Sequence, residues 1–358
     1  MKICFFADGE SIHTVRWCHH FRAQGHEVHL ISFKKVTLEN IVVHFIDTGN
    51  ITVKGGNWKV LLKFNHLKKL LDEIKPDIFH AHYATSYGIT GALAGFHPYI
   101  ITALGTDVLI SPNQSIAYKL MLKYAFSKAD WITAMADHMK TAIINLGVNA
   151  HKVDTVSFGI DPLVFNNKNR NLPDDKFIIT STRNFEKIYN LPQMLKAVAN
   201  ARKEIPSLFL NIIGDGSLRD EIYAEIKHLK LDNCCKLYGR ISQTEISKVL
   251  QNSHLFISVS LSDGNNISLN EAMACGTLPI ATNIPANTQW IKDGENGFLI
   301  DIDDVKTLTE KIIYCYKNFQ SIQNKAMDLN EKIIQEKGIW SVNMKNVEQK
   351  YQQLTGKV

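Results

Sequence analysis

The sequence is poor in cysteine, and its six cysteines are not arranged as a metal site or a disulfide framework. No two of them form a C-x-x-C pair, and the only close pair, Cys234 and Cys235, is vicinal. Zinc sites and disulfide-rich secreted domains need spacings that this chain lacks. We therefore predict reduced thiols, no bound metal and a cytoplasmic location.

Long hydrophobic runs are also missing. No stretch approaches the roughly 18 uninterrupted apolar residues of a transmembrane helix. The first seven residues are mostly apolar, but Asp8 and Glu10 follow at once. This run is too short for a secretory signal, and we predict a buried strand there. Any membrane contact would be peripheral, at the inner face of the membrane.

The chain has little net charge, because 40 Lys and Arg against 35 Asp and Glu leave only +5. Residues 1–170 contain 18 of the basic and 13 of the acidic residues, so the whole excess lies in the first half. We predict no nucleic-acid partner.

The composition is 45% hydrophobic, and at about 150 residues per domain the length predicts two folded domains.

What the sequence does contain is an alternation of short apolar runs with amphipathic stretches, which is typical of parallel strands joined by crossover helices. Predicted strands include Glu27–Ser32, Ile78–His82, Phe177–Ser181 and Leu255–Ser258. Prolines and repeated asparagines between residues 159 and 173 predict an interdomain linker. We predict two α/β domains, residues 1–165 with a terminal helix at 340–358, and residues 170–339. Their strand ends would face a cleft, where such sheets bind ligands.

The most informative stretch is residues 260–280, SLSDGNNISLNEAMACGTLPI. An apolar strand ends just before Asp263, and a helix carrying Glu271 follows. Amides at the start of this helix, aided by its dipole, would suit a diphosphate. Asp263 would address a sugar, and Glu271 would accept hydrogen bonds from ribose hydroxyls. The pattern alone fits equally well a capped strand, loop and helix with one solvated glutamate.

Residues 262–276 resemble the S-D-G-x-x-x-S-L-x-E-A-M-A-C-G motif of one branch of glycosyltransferase family four, the retaining GT-B glycosyltransferases of group 1. The resemblance extends over essentially the whole chain. It implies two Rossmann-like domains facing across a cleft, the first binding the acceptor and the second a nucleotide-sugar. It also implies a C-terminal helix that crosses back to the first domain. The donor would be held at residues Asn265, Asn266, Ile267, Ser268 and Glu271.

Other segments match the same family in the expected order. Arg183 and Lys187 follow a strand where family members use an arginine and a lysine on the donor diphosphate. Two cations there would stabilise the charge of the leaving group. For Lys187 the alternative is a surface lysine on a loop. Gly214 and Gly216 match a G-x-G turn that lets the backbone approach the nucleotide, and Ile241 lies in the segment that reads the base.

In the first half, Gly9 follows the first strand and would allow close approach of the donor phosphate. His82 ends a later strand and is our fourth catalytic candidate, with Arg183, Lys187 and Asp263. Many relatives have a histidine just before Gly105, where this chain has Leu104. His82 or the backbone at Gly105 would then contribute instead. The alternative for His82 is a packing role.

The resemblance implies transfer of a sugar from a nucleotide-diphosphate donor to a glycan or lipid-linked acceptor, with retention of configuration and without metal or cofactor. Cell-surface polysaccharide or glycoconjugate biosynthesis is the implied setting. A sugar-nucleotide 2-epimerase and a non-catalytic nucleotide-sugar-binding protein are the alternatives. Asp301 and Asp303 spell a D-x-D motif. They precede a helix predicted at Val305–Tyr316, where Asp303 and Asp304 suit an N-terminal cap, so capping is the favoured role.

The stretch from residue 54 to 75 carries six lysines and only two acidic residues, Asp72 and Glu73. Apolar residues recur there at roughly helical spacing. One interpretation is a helix that packs its apolar face on the sheet and exposes its lysines. The other is a helix that lies on the cytoplasmic leaflet and brings a lipid-linked acceptor to the cleft.

Overall fold

The computed structural model describes residues 1–49, 51 and 58–357, with only the backbone of Trp58. The chain forms two compact units. The first joins Met1–Val156 to Met344–Val358, and the second comprises Ser157–Asn343. The second unit therefore begins at residue 157, whereas the sequence placed the end of the first domain at residue 165.

The first unit is built on a parallel sheet of seven strands in the order β3-β2-β1-β4-β5-β6-β7. The strands are β1 (Lys2–Phe6), β2 (Glu27–Ser32), β3 (Val42–Phe45), β4 (Ile78–His82), β5 (Tyr99–Ala103), β6 (Trp131–Ala134) and β7 (Val153–Thr155). Strands β1, β4 and β5 are almost fully buried, because helices cover both faces of a parallel sheet.

Helices and single turns connect these strands. The helices are α1 (Ile12–Ala23), α2 (Phe64–Ile74), α3 (Ile89–Ala94), α4 (Thr106–Leu109), α5 (Ser111–Gln114), α6 (Ile116–Lys128) and α7 (Asp137–Asn145). A 3-10 helix (Trp58–Lys63) precedes α2, and a π-helical turn (Ala84–Gly88) precedes α3. The stretch from 54 to 75, predicted as one helix, is thus divided in two over its described part.

The second unit is built on a parallel sheet of six strands in the order β10-β9-β8-β11-β12-β13. The strands are β8 (Phe177–Ser181), β9 (Leu208–Ile213), β10 (Cys235–Gly239), β11 (Leu255–Ser258), β12 (Leu278–Thr282) and β13 (Phe298–Ile300). Successive residues of β11 point to opposite faces, so Leu255 and Ile257 lie in one apolar cluster and Phe256 in the other. The helices are α8 (Leu191–Arg202), α9 (Arg219–His228), α10 (Gln243–Gln251), α11 (Ile267–Ala274), α12 (Pro285–Thr288) and α13 (Val305–Lys337).

Helix α13 is much longer than predicted, since the expectation ended at Tyr316. Buried residues continue at helical spacing past that point, and Phe319, Ala326 and Ile334 keep one face apolar. Asp304 caps the helix by accepting a hydrogen bond from the Thr307 amide, in line with the capping role favoured for the acidic residues before it.

The last helix, α14 (Trp340–Thr355), returns the chain to the first unit from Met344 onward. Tyr351 stacks on Phe21 of α1 with ring centroids 5.2 Å apart. Glu348 pairs with His26 at 2.8 Å. The predicted α/β fold of two Rossmann-like units with a returning C-terminal helix is thus confirmed.

Candidate functional site

In each sheet the strand order reverses at one point, and ligands of doubly wound sheets bind at the carboxyl ends of the strands there. In the second unit this point lies between β8 and β11, which pair directly. Arg183 follows β8, and Asp263 follows β11. The topology therefore brings together two residues that are 80 positions apart in the sequence.

Arg183 is held by three neighbours within the second unit. One terminal nitrogen, Nη2, donates to Oδ2 of Asp263 at 2.6 Å, and the other, Nη1, donates to Oδ1 of Asn266 at 2.9 Å. The guanidinium carbon also lies 4.0 Å from the ring centroid of Tyr189. Only 7% of the residue is exposed. These contacts fix the cation in one orientation at the strand ends.

One nitrogen of this guanidinium, Nε, is buried without a hydrogen-bond partner among the described residues. A buried N–H of a charged group lowers the stability of the fold when it has no hydrogen-bond partner. A ligand or a water molecule that accepts its hydrogen bond removes this cost. The site therefore has donor capacity beyond its protein contacts. Asp263 at 2.6 Å offsets the positive charge, so an incoming anion would compete with this carboxylate for Nη2.

Asn266 has a structural role that the sequence did not indicate. Its side chain is fully buried and caps α11, since Oδ1 accepts from the Leu269 amide at 3.1 Å as well as from Arg183. Its Nδ2 donates to Ser258 and to Asn287. All of its usual hydrogen-bonding positions are filled, so this side chain positions Arg183 and leaves only its backbone for a ligand.

The neighbouring residues at the start of α11 are similarly engaged. Asn265 donates to Oγ of Ser157 at 2.9 Å and accepts from the indole of Trp290 at 3.0 Å. The Ile267 amide donates to the Asn265 carbonyl. Ser268 and Glu271 are half-buried on the helix. The roles predicted for residues 265–268 and for Glu271 toward a nucleotide stay predictions.

The two glycines of the G-x-G turn are required by close contact between two loops. Gly214 has φ +142°, and a Cβ there would lie 2.6 Å from the Arg183 carbonyl oxygen. A Cβ on Gly216 would lie 2.5 Å from the carbonyl oxygen of Phe185. Because side chains cannot fit at these distances, both glycines let the loop after β9 pack on the loop that carries Arg183.

Two other predicted residues of this unit are not brought to Arg183 by any described contact. Lys187 lies exposed in a 3-10 turn (Lys187–Tyr189), and its side chain makes no hydrogen bond or ion pair in the part of the chain that the structure describes. Ile241 is half-buried just after β10. Beside Lys187, hydrogen bonds from the hydroxyl and amide of Ser217 lower the pKa of Glu186.

In the first unit, Gly9 donates its amide to Oγ of Ser32 at 3.0 Å, and a Cβ there would lie 2.5 Å from Cγ2 of Val36. Its close approach is therefore to the segment after β2. The predicted approach of a donor phosphate to Gly9 stays a prediction.

His82 is 2% exposed and packs edge-on against Trp17, with ring centroids 4.9 Å apart. Burial, followed by the charge of His13, lowers the pKa of His82 to about 3, so the imidazole is neutral. Neither ring nitrogen has a hydrogen-bond partner in the described ranges. The surroundings are those of a packing residue, and the predicted catalytic role stays a prediction.

The next histidine along the same strand is better connected. His80 lies 2.5 Å from the hydroxyl of Tyr351 and 2.6 Å from that of Thr102. Its burial lowers its pKa well below the usual value. A neutral imidazole donates from one nitrogen and accepts at the other, which suits two hydroxyl neighbours. This residue joins β4 and β5 to the returning helix α14.

Sequence reasoning missed two residues near the site. Tyr189 stacks on Arg183, and an aromatic six positions after the arginine was the available signal. Asn270 precedes Glu271 and is fully buried. Neither the oxygen nor the nitrogen of its side-chain amide has a hydrogen-bond partner within the described residues. No pattern distinguishes this asparagine from a surface one.

The described residues contain neither a metal-binding cluster nor a helix that could cross a membrane. No group of three or more His, Cys, Asp or Glu side chains there has the arrangement of a metal site. No described helix has both the length and the hydropathy that a membrane crossing needs.

Two sequence models of glycosyltransferase families match the chain. The model described as glycosyl transferase 4-like covers residues 2–136, and that described as glycosyl transferases group 1 covers residues 165–335. The second match contains Arg183, Asp263 and Glu271. The two matches together span most of the chain.

Curated relatives are similar over most of their length. N-acetyl-alpha-D-glucosaminyl L-malate synthase of Bacillus anthracis is 23% identical over 331 residues, which is 87% of this chain and 86% of that protein. The putative glycosyltransferase EpsD of Bacillus subtilis is 25% identical over 323 residues, covering 83% and 81%. A shorter match, 24% over 245 residues, is to the amylovoran biosynthesis glycosyltransferase AmsK of Erwinia amylovora, covering 65% and 59%.

Solved structures share the whole fold. Sucrose-phosphate synthase from Thermosynechococcus elongatus has a TM-score of 0.80 at 16% identity, covering all of both chains. HepE of Anabaena, solved with UDP-glucose, has a TM-score of 0.77 at 18% identity, covering 99% of this chain and 100% of that one. These likenesses identify the fold as GT-B.

Proposed function

This chain belongs to the glycosyl transferases group 1 family, and we propose that it moves a sugar from a nucleotide-diphosphate donor to a glycan or lipid-linked acceptor with retention of configuration. The observation that carries the proposal is Arg183, a buried cation held at the point where the strand order of the second sheet reverses. We place the reaction in cell-surface polysaccharide or glycoconjugate biosynthesis, at the cytoplasmic face of the membrane.

The donor would be held mainly by the second unit. The diphosphate is both the recognised anion and the leaving group, so a fixed cation binds it and stabilises the charge that develops on its oxygens. Arg183 meets this need with its unpartnered Nε and with Nη2, which the diphosphate would take from Asp263. Two proteins of similar structure support a nucleotide-sugar donor. HepE of Anabaena was solved with UDP-glucose, and the pneumococcal GtfA was solved with UDP and GlcNAc.

Asp263 and Glu271 have different roles in this proposal. Once the diphosphate engages Arg183, the Asp263 carboxylate is released toward the sugar hydroxyls at the same strand end. Glu271, about one turn into α11, receives the ribose hydroxyls. Positioning of donor and acceptor and stabilisation of the leaving diphosphate supply most of the rate, without a metal or a redox cofactor. Retention is carried over from the family and not from a nucleophile assigned in this chain.

The acceptor would bind to the first unit, and its class is drawn from relatives. The Erwinia relative acts in amylovoran biosynthesis. A Campylobacter jejuni relative, 26% identical over 229 residues, is a 4-alpha-N-acetylgalactosaminyltransferase that acts on a diphospho-undecaprenol-linked sugar. The Bacillus anthracis relative is by name a synthase of N-acetyl-alpha-D-glucosaminyl L-malate, so small soluble acceptors are the main competing class.

The test has two steps. A thermal-shift screen of nucleoside diphosphates and nucleotide-sugars first selects the donor, because a ligand of the native state raises the melting temperature. Release of free nucleoside diphosphate is then measured with and without a panel of glycan and lipid-linked acceptors. We expect release only with an acceptor, and its loss in Arg183→Ala.

The matched control is Lys317→Ala, which removes an exposed cation on α13 whose ion-pair partner among the described residues is Glu204. This variant should retain full activity. Conversion of the donor sugar without any acceptor would instead identify an epimerase. Tight binding with no turnover over the whole panel would identify a nucleotide-sugar-binding protein.

A further inference from the structure

Helix α6 is apolar on two opposite faces. On one face Leu122, Ala125 and Phe126 are fully buried in the first unit. On the other face Ile116, Leu120 and Tyr124 follow each other at four-residue spacing and are 78%, 61% and 40% exposed. Apolar side chains that lie together on an exposed helix face commonly mark a surface that binds a partner. The outer face of α6 therefore has the composition of a surface that another partner covers.

The charged side chains of α6 itself all have one sign. Lys119, Lys123 and Lys128 are exposed on α6, and the chain has no acidic residue between Asp107 and Asp130. The ammonium of Lys128 lies 5.7 Å from the ring centroid of Tyr124. A cavity of about 320 Å³ beside the helix is lined by Lys123, together with Lys152 of the following segment. An anionic partner is the one that this surface complements.

Helix α2 provides the contrast within the same unit. Its lysines made the stretch from 54 to 75 a candidate for membrane contact, but its apolar residues Leu67, Leu71 and Ile74 are buried. Lys54 and the side chain of Trp58 lie outside the described residues. The packing interpretation therefore fits α2, whereas the exposed apolar stripe is on α6.

We propose that the outer face of α6 docks on an anionic phospholipid surface. The stripe of Ile116, Leu120 and Tyr124 would enter the boundary between headgroups and acyl chains, and the flanking lysines would pair with headgroup phosphates. A second copy of the chain fits this surface less well, because symmetric pairing would bring two sets of three lysines together. The proposal rests on the proposed function only for its purpose, which is to reach a lipid-linked acceptor.

The experiment is flotation of the full chain with vesicles of phosphatidylcholine alone or with 30 mol% phosphatidylglycerol (on the order of physiological anionic content). We expect binding to the anionic vesicles at low salt, and weak binding to the neutral ones. Each lysine near such a surface contributes about a factor of five in affinity. The double variant Lys119→Glu/Lys123→Glu should thus lower the vesicle partition at least tenfold, and Leu120→Ser several-fold.

The matched control is Lys68→Glu/Lys69→Glu on α2, which makes the same charge change at exposed positions and should bind as the wild type does. Loss of binding in this control with retention in the α6 variants would overturn the proposal in favour of α2. Failure of the wild type to float at low salt would also overturn it. So would a dimer in sedimentation that Leu120→Ser dissociates, which would make a second copy the occupant.

The readout does not depend on transfer. If the protein floats as expected but releases no nucleoside diphosphate with any acceptor, docking stands and the proposed function fails. The α6 variants should also keep the melting temperature of the wild type, because their side chains are exposed.

Discussion

Both units carry a titratable side chain at the strand end beside the point where the strand order reverses, but they treat it in opposite ways. In the second unit Arg183 is bound by Asp263, Asn266 and Tyr189, and its Nε has no hydrogen-bond partner in the part of the chain that the structure describes. In the first unit His82 ends β4 among aromatic rings, with no hydrogen-bond partner among the described residues. A polar residue at a strand end is thus the same signal in the sequence but has two physical outcomes.

The difference lies in what surrounds the charged form. A guanidinium stays protonated in proteins, so burying Arg183 requires the carboxylate and amide that the structure supplies. An imidazole near neutral pH can lose its proton and be buried in an apolar core as the neutral form. Burial lowers the pKa of His82 for this reason. A side chain that stays charged, together with the partners that hold it, indicates which strand end is prepared for an anion.

Arg183→Ala is the strongest way to break this comparison. The variant removes charge-assisted hydrogen bonds to the donor diphosphate and leaves Asp263 unpaired, so nucleoside diphosphate affinity should fall by about 1.5–3 kcal/mol, roughly 10- to 150-fold. Calorimetric titration measures the loss. Unchanged affinity would remove Arg183 from the donor site.

His82→Leu tests the other side of the comparison through pH. The folded pKa of about 3 lies below the unfolded value of 6.5, so the unfolded state binds more protons as pH falls below 6.5. Stability from this residue is complete above that pH and is lost as the pH falls toward 3. Between pH 7 and pH 5 the variant should therefore lose about 2 kcal/mol less of its unfolding free energy than the wild type.

Urea titrations at the two pH values measure this difference. His66→Leu, the same substitution at an exposed position of α2, is the control for the change of residue type. An unchanged pH dependence in His82→Leu would show that a neighbouring group stabilises the charged form of the buried imidazole. The contrast with Arg183 would then fail.

Asp263→Asn and Glu271→Gln sharpen the comparison inside the second unit. Glu271→Gln should weaken binding of the whole nucleotide by about 1 kcal/mol, since the charged group that accepts hydrogen bonds from the ribose hydroxyls becomes neutral. Asp263→Asn removes a carboxylate that competes with the diphosphate, so it should spare nucleoside diphosphate binding and depress kcat. Equal losses of diphosphate affinity in both variants would contradict the assignment.

Tyr189→Leu should have the smallest effect. Loss of the ring under Arg183 removes a cation–π contact worth about 0.5–1 kcal/mol and loosens the orientation of the guanidinium. Diphosphate affinity should fall two- to fivefold by calorimetry, whereas Tyr189→Phe, which keeps the ring, should match the wild type. A loss of the same size in both variants would point to the hydroxyl and not to the stacking.

The strands were the most predictable part of the fold. The bounds of β2, β4, β8 and β11 coincide with the predicted strands, because buried parallel strands are short apolar runs between polar loops. Helix α13 extends 21 residues past its predicted end at Tyr316, since its later turns are mostly polar and only one narrow face is buried. The division of the helix before β4 depends on tertiary packing that no local pattern contains.

The site was predictable by residue but not by contact. Arg183 and Asp263 were identified separately from a family motif, yet nothing local indicates that they pair across 80 positions. The need for glycine at 216 likewise comes from the carbonyl of Phe185, on another loop. Such contacts follow from strand order, which sequence periodicity does not specify.

The most direct test of the central claim, that the Arg183 site of the second unit holds the donor diphosphate, is hydrogen exchange of the full chain with and without the nucleoside diphosphate that the thermal-shift screen selects. Local opening is suppressed where a ligand binds. The account predicts slowed exchange in residues 182–190 and 263–275, with a smaller change or none in β4. Slowed exchange confined to the first unit, or no change in either segment around Arg183 at saturating ligand, would contradict it.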